Sequence, residues 1–422
     1  MSRNSVVAPL QYVARVRYGM GQPPPLTDEG GIPIIRATNI DRGRITTGNL
    51  QRAHLEVLPL DRAPLLRTGE ILVVRSGAYT GDSAFVSEAW SGSAPGYDLR
   101  VTPGPGVDPR FLSWCLLSRY CLDQLDLMKT RAAQPHLNAE ELSSLWVPTP
   151  PLEVQQRIAH YLDSETARID RLRNRNEALS RLARERHERF VLASVTEGTA
   201  ADASSRAVEG HWFTRHSSSF DIGPYAMYGR TGSGHTPSRS VPEYWTDCHI
   251  PWITTGDVQQ LRPGYVEHID DTSEKISEIG MANSAARLHP AGTVVLSRTA
   301  SVGFAGIMSV PMATSQDFFT WTPDPARLRP GYLLWALRAM RYAGHFDRLM
   351  YGSTHKTIYV PDLMVLRGPV PPVDEQDRIV SAIREQRDET IALVDKLERA
   401  NRLLTERREA LITAVVTGDR EV

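Results

Sequence analysis

The sequence predicts an α+β protein: two globular domains of mixed α/β structure, separated by two long helices that pair antiparallel, with the halves related by an internal pseudo-two-fold repeat. Two observations carry this. Residues 150–198 and 371–422 open alike, on Pro-Pro, an acidic residue and Gln-x-Arg-Ile, and both close on Val-Thr followed by Gly. Their landmarks keep a constant offset of 221 residues, as in Pro150/Pro371, Ile158/Ile379, Leu172/Leu393 and Val195/Val416. Register held without a gap over so long a stretch marks a duplicated rigid element. The domain plan is therefore 1–149 globular, 150–198 helix, 199–370 globular and 371–422 helix.

Each duplicated stretch reads as one helix. Proline suits a first turn, where its missing N–H would be orphaned. Glu153 and Asp374 sit at the positive end of the helix dipole. Neither stretch contains Gly or a further Pro until Gly198 and Gly418. Rows spaced four and three apart give an apolar seam of coiled-coil type. In the first copy the seam is Ile158, Leu162, Ile169, Leu172 and Leu179; in the second it is Ile379, Ile383, Leu393, Leu397, Leu404 and Leu411. Such a seam needs a cover, either the other copy or the face of a globular domain. At 1.5 Å per residue each helix is a rod of roughly 65 Å.

The globular parts repeat as well. Pro33–Ile40 answers Pro251–Val258, Gly69–Ser76 answers Ala291–Thr299, and Tyr97-Asp98 answers Gln316-Asp317. Pro109–Trp114 answers Pro330–Trp335 and opens a helix reaching about Met128 or Met350. Trp114 and Trp335 are assigned to the cores. A polar loop follows each helix, then a last strand near Leu145 or Val365. The small polar stretch 199–210 reads as a linker. The halves share scaffold positions and differ in their loops, a pattern suited to two different ligands.

Net charge is −1 over 422 residues, and no part is strongly basic: +1 for 1–152, +1 for 153–198, 0 for 199–373 and −3 for 374–422. Any basic surface must come from local clustering in the fold. Hydrophobic residues make up 41%, ordinary for a soluble globular protein. There is no apolar run long enough for a membrane span and no secretory leader, so a cytoplasmic protein with no membrane partner is expected. Cys115, Cys121 and Cys248 are too few and too scattered for a disulfide framework or a zinc site.

Enzyme signatures are missing from the sequence. It contains no phosphate loop of the G-x-x-x-x-G-K-[ST] type. Gly104-Pro-Gly106 and Gly232-Ser-Gly234 lack the strand–glycine–helix setting of a dinucleotide fold. Asp270, Asp271, Glu274 and Lys275 are spaced wrongly for a nuclease site, and Cys248-His249 is a lone pair. The expected catalytic and metal sites are none, and no cofactor is expected on this chain.

The repeated P-P-[LV]-[ED]-x-Q-x-R-I helix starts at 150–158 and 371–379, and the helix ends at 193–198 and 413–418, resemble the specificity (S) subunits of type I restriction–modification systems. Gly232–Ser238, Pro242–Trp245 and Ile250–Ile253 look like the entry to a target-recognition domain of that family. In the first half Gly19-Met-Gly-Gln-Pro-Pro-Pro25 replaces the Gly-x-Thr-Pro pattern, which points to a different entry loop.

The resemblance implies a DNA sequence-recognition chain with two target-recognition domains, each reading one half of a bipartite, asymmetric double-stranded target. Its helices would set the distance between the domains. It implies docking of two modification (methyltransferase) subunits carrying S-adenosylmethionine, and of restriction (helicase-nuclease) subunits using ATP with Mg. The recognition chain of a combined nuclease–methyltransferase, or a coiled-coil scaffold that binds no DNA, would share the same helices.

Base edges in the major groove are matched by Arg or Lys on guanine and by Asn or Gln on adenine. Loop residues of suitable type in the first half are Gln22, Arg36, Asn39, Arg75, Tyr79, Lys129, Arg131, Gln134 and His136. In the second half they are Arg230, Ser233, His235, Thr236, Arg239, Arg298, Thr299, His355 and Lys356. For each, the alternatives are a phosphate contact that fixes register without reading sequence, or an ordinary exposed polar residue.

Overall fold

Short apolar strands in the first half pair into two main sheets and two two-stranded ladders. A computed structural model describes residues 6–129, 136–199, 204–353 and 355–422. It divides into two units: residues 1–177 with 398–422, and residues 178–397.

In the first unit a four-stranded antiparallel sheet has the order Ala14–Tyr18, Leu99–Pro103, Ile71–Val73, Ser83–Phe85. A second sheet places Ile32–Ile35 between Gln51–Ala53 and Ala94–Pro95. Ile71, Val73, Leu99 and Val101 pack against helix Pro109–Leu117, whose Asp108 N-cap accepts from the Phe111 N–H at 2.8 Å. The Val147 strand pairs with Val7–Pro9 and leads into the central helix, Leu152–Glu197.

The second unit repeats this plan. Its main sheet runs Gly229–Ser233, Phe318–Pro323, Val294–Ser297, Ala305–Met308, with His268–Ile269 added as a parallel edge. Ile250–Ile253 lies between Glu274–Ile276 and Ala313–Thr314, as Ile32–Ile35 does in the first unit. Helix Pro330–Tyr342 covers the main sheet and stops at Gly344, which takes a left-handed turn (φ 65°) before His345–Leu349. Trp114 and Trp335 are both buried in their cores.

The repeated glutamine of the helix start has the same duty in both units. Gln155 accepts from the Asp108 N–H at 2.9 Å and donates to Pro150 O at 2.8 Å. Gln376 accepts from the Arg329 N–H at 2.7 Å and donates to Pro371 O at 2.8 Å. Each thus fastens the start of a long helix to the start of the shorter helix beneath it.

Within each unit the segments of the two long helices, the central one and Val373–Val416, run antiparallel. In the first, Asn176 Nδ2 donates to Asn401 Oδ1 at 2.9 Å, while Asp170 faces Arg408. In the second, His187 bonds Gln386, and Val191 and Val195 share a core with Ile379 and Ile383. Burial pulls the His187 imidazole below its ordinary pKa.

The predicted seam needs correcting in its middle. Ile158, Leu162, Ile169, Ile379, Ile383 and Leu411 are buried, and Leu397 and Leu404 half-buried. Leu172, Leu179 and Leu393, however, are 42%, 42% and 46% exposed. After Leu162 the inward row runs through Thr166, Ile169, Arg173 and Asn176, so Thr166 and Arg173 stand inward, each one residue past the row through Leu162, Ile169 and Leu172. The second helix makes the same step, through Arg387, Thr390 and Val394. Thr166 and Thr390 meet their hydroxyl demand on Leu162 O (2.6 Å) and Gln386 O (2.9 Å), so polar residues occupy the seam while leucines face out.

Candidate nucleic-acid interface

Arg75 leaves the buried strand Ile71–Val73 at its carboxyl end, and the fold closes around it. Its guanidinium lies over the rings of Tyr18 (4.6 Å) and Tyr97 (4.4 Å), and Nη2 sits 3.2 Å from His136 Nε2. Its backbone N–H donates to Asp98 Oδ1 at 3.1 Å. Both tyrosines are exposed on their outer sides. A guanidinium stacked between two rings loses rotamer freedom before any ligand arrives, and it keeps its flat donor fork. His136 arrives because its loop bridges back to Ser76.

The second unit uses the same place differently. Thr299 bridges to Thr357 as Ser76 does to His136, and their hydroxyls lie 3.1 Å apart. Arg298 donates to Gln316 O at 2.9 Å and Ile358 O at 3.2 Å, so its guanidinium fastens this loop to the strand end. His355 and Lys356 are left exposed near Tyr351 and Tyr359, whose rings meet at a tilt with centroids 5.1 Å apart. Arg239 lies over Trp245 at 4.2 Å and donates to Glu274 at 2.7 Å.

The entry loop at Gly232–Ser238 is drawn against the strand Ala313–Thr314. A Cβ on Gly234 would meet Thr314 O at 1.7 Å, so only glycine fits there. Ser233 donates to Phe318 O at 2.9 Å and Thr236 to Gln316 Oε1 at 2.6 Å, which leaves His235 and Arg230 outermost.

In the first unit the Pro-rich loop instead walls a cavity of about 700 Å³, shared by Gln22, Arg36, Gln51, Tyr97 and Asp98. Arg36 donates to Asn49 O at 2.9 Å, and Tyr79 is exposed. Asn39 is a correction. It is fully buried, accepts from Arg36 N–H at 3.3 Å and donates to Gly48 O at 2.8 Å, so its amide is used up in holding a turn. Arg131, Gln134 and the Lys129 side chain lie outside the described residues. Sequence reasoning missed Tyr18, Tyr97, Trp245, Tyr351 and Tyr359. The only signal for them was aromatic residues near arginine-bearing loops, which core aromatics share.

Burial pushes the Asp98 carboxyl up to about 6, against the pull of the Arg75 and Ala37 N–H groups. Because the folded value lies above the ordinary 3.8, this group's stabilising contribution is full below that value and is lost as pH rises through about 6. Asp98→Asn keeps an acceptor for Arg75 N–H and removes the charge. Relative to it, the native protein is expected to lose about 1–3 kcal/mol between those limits and stay level above them. Urea midpoints measured for both proteins from pH 4 to 7 check this; a constant difference would contradict it.

No group of three or more metal-ligating side chains occurs among the described residues. Cys115 and Cys121 are buried, and burial pushes both thiols up, Cys121 to about 12. No helix is long and apolar enough to cross a membrane among the described residues.

A family model described as the type I restriction modification DNA specificity domain matches residues 22–181 and 228–400, more than half of the chain. The type I restriction enzyme MjaIX specificity subunit of Methanocaldococcus jannaschii is 25% identical over 185 residues, which span 44% of this chain and 41% of that subunit. Among solved structures, a chain from work on complex assembly and conformational transition of the type I R-M system matches with a TM-score of 0.74 and 18% identity, over 100% of this chain and 99% of that one. The HsdS subunit of Thermoanaerobacter tengcongensis matches with a TM-score of 0.55 and 18% identity, over 100% and 98%. At that identity the likeness is one of fold.

Proposed function

Since the chain belongs to the type I restriction modification DNA specificity family, we propose that it reads the DNA sequence for a methylating and cleaving assembly whose catalysts lie on other chains. The observation that carries this is the repeated strand end. In both units a cation-bearing strand terminus meets a returning polar loop, at Arg75–Ser76 with His136 and at Arg298–Thr299 with Thr357. The scaffold strands keep one order while the side chains displayed there differ. Two such readers on one chain suit a double-stranded target in two unlike parts.

In the first unit the stacked Arg75 fork would address guanine O6 and N7 or a phosphate, with Tyr18 and Tyr97 holding it. In the second, Arg230, His235, Arg239, His355 and Lys356 are the outward-facing set. Exposed Leu172, Leu179 and Leu393 on the long helices support docking of two modification subunits there, with restriction subunits joining them. S-adenosylmethionine would be used on the former, and ATP with Mg on the latter. The assembly would work in the cytoplasm.

Tritiated S-adenosylmethionine separates the roles. The purified chain alone is expected to transfer no methyl group to DNA, and the chain mixed with its modification subunit to label adenine. Transfer by the chain alone would overturn the proposal.

A further inference from the structure

A second cluster of arginines lies in the first unit, away from the strand ends. The hairpin Ile40–Asp41/Arg44–Ile45 turns through Arg42 and Gly43, both at positive φ (39° and 98°), and lays its two arginines against the long helices. Arg42 N–H donates to Asp82 at 3.0 Å, which holds the turn. Arg42 pairs with Glu409 at 3.3 Å, and Arg44 pairs with Asp170. Arg408 reaches the same Asp170 from the other helix, its Nε 3.7 Å from the carboxylate.

Arg173 completes the set. It stands in the helix seam, has no ion-pair partner among the described residues, and its Nε is buried without a hydrogen bond. Arg408 is only 9% exposed, and its Nε is unbonded too. These groups enclose a cavity of about 240 Å³, with Thr405 on its wall. Four guanidiniums line it against three carboxylates, the third being Asp41. Four guanidiniums against three carboxylates leave one positive charge uncompensated, with Arg173 half-buried and unpaired among the described residues, and two forks facing one space match the oxygens of a tetrahedral anion.

We propose that this cavity is an oxoanion site of the phosphate class, with Arg173 and Arg408 as its floor and Arg42 and Arg44 at its mouth. The phosphate is either free in solution or part of a nucleic-acid backbone.

Thermal melting of the full chain tests this, with sodium phosphate compared against chloride at equal ionic strength. Phosphate is expected to raise the melting temperature saturably by about 2–4 °C. Arg173→Gln should abolish that rise. Thr405→Asp, which supplies a carboxylate from within, should melt higher in chloride and gain nothing from phosphate. Equal melting of the native chain in both salts, or a rise persisting in both variants, would overturn the proposal. The salt dependence of DNA binding by the assembly with its modification subunit distinguishes the sources. A backbone phosphate predicts a slope smaller by about 1 in Arg173→Gln, a free phosphate an unchanged slope. The melting arm stands whether or not the chain reads DNA.

Discussion

Exchanging residues 199–370 for the equivalent domain of a related specificity subunit is expected to replace one part of the methylated sequence and leave the other part intact. The reason lies in the repeat: each unit has its own core and sheets, and its outward side chains differ from those of the other. The junctions need care, because the second unit includes helix residues beyond that span. Buried Glu267 binds Arg384 at 2.8 Å and also Arg387, both on the C-terminal helix. Tyr332 donates to Val195 O at 3.2 Å on the central helix. A graft that supplies an acidic residue at 267 and a hydroxyl at 332 should fold; one that strands Arg387 should not. Genome-wide sequencing of methylated adenines reads the outcome. A change in both parts would contradict independent readers.

Replacing Glu70 by alanine is expected to cost about 3–5 kcal/mol, the loss met when one member of a buried ion pair is removed. Glu70 and Arg100 are both buried and meet through two contacts, at 2.8 and 2.6 Å. The carboxylate also accepts from Thr102 Oγ1 (2.9 Å) and Arg67 N–H (2.8 Å), while Arg100 reaches Pro64 O and Leu65 O. The pair therefore ties the 64–70 turn to the inner strand Leu99–Pro103 of the first sheet. Alanine leaves a buried guanidinium without its counter-charge, and the melting temperature should fall by about 6–20 °C. The double replacement Glu70→Leu with Arg100→Met, which removes both charges and keeps apolar volume, should recover much of that loss. Calorimetry of the single and double variants decides it. A single variant within about 1 kcal/mol of the native protein would show that Arg100 finds another partner.

The repeat, the strand positions and the helix starts were legible because each rests on a local pattern: strand period, proline punctuation and a constant offset. The seam was misread where leucine outweighed its neighbour, as at Leu172 beside the inward Arg173 and Leu393 beside the inward Val394. Inward position is a matter of angle around the helix, and Thr166 holds it by satisfying its hydroxyl on Leu162 O. Leu172→Ala should accordingly cost little, since half-exposed leucine has little burial to lose. The candidate interface was legible by region only. Arg75 and Arg298 sit at matching strand ends, yet one is stacked between tyrosines and the other fastened to carbonyls. Those partners come from 57 residues away for Tyr18 and from a separate loop for Ile358, so no local pattern announces them. Asn39 shows the converse: a residue type suited to adenine spent on its own turn.

The central claim is that one chain carries two separate readers of DNA. Its most direct test is to capture duplexes from a randomised pool with the chain bound to its modification subunit, and to sequence what is retained. The account predicts two short unlike sequence elements separated by an unread gap of constant length, with either element lost when its own unit is mutated. Enrichment of a single unbroken element, or of none above the starting pool, would contradict it.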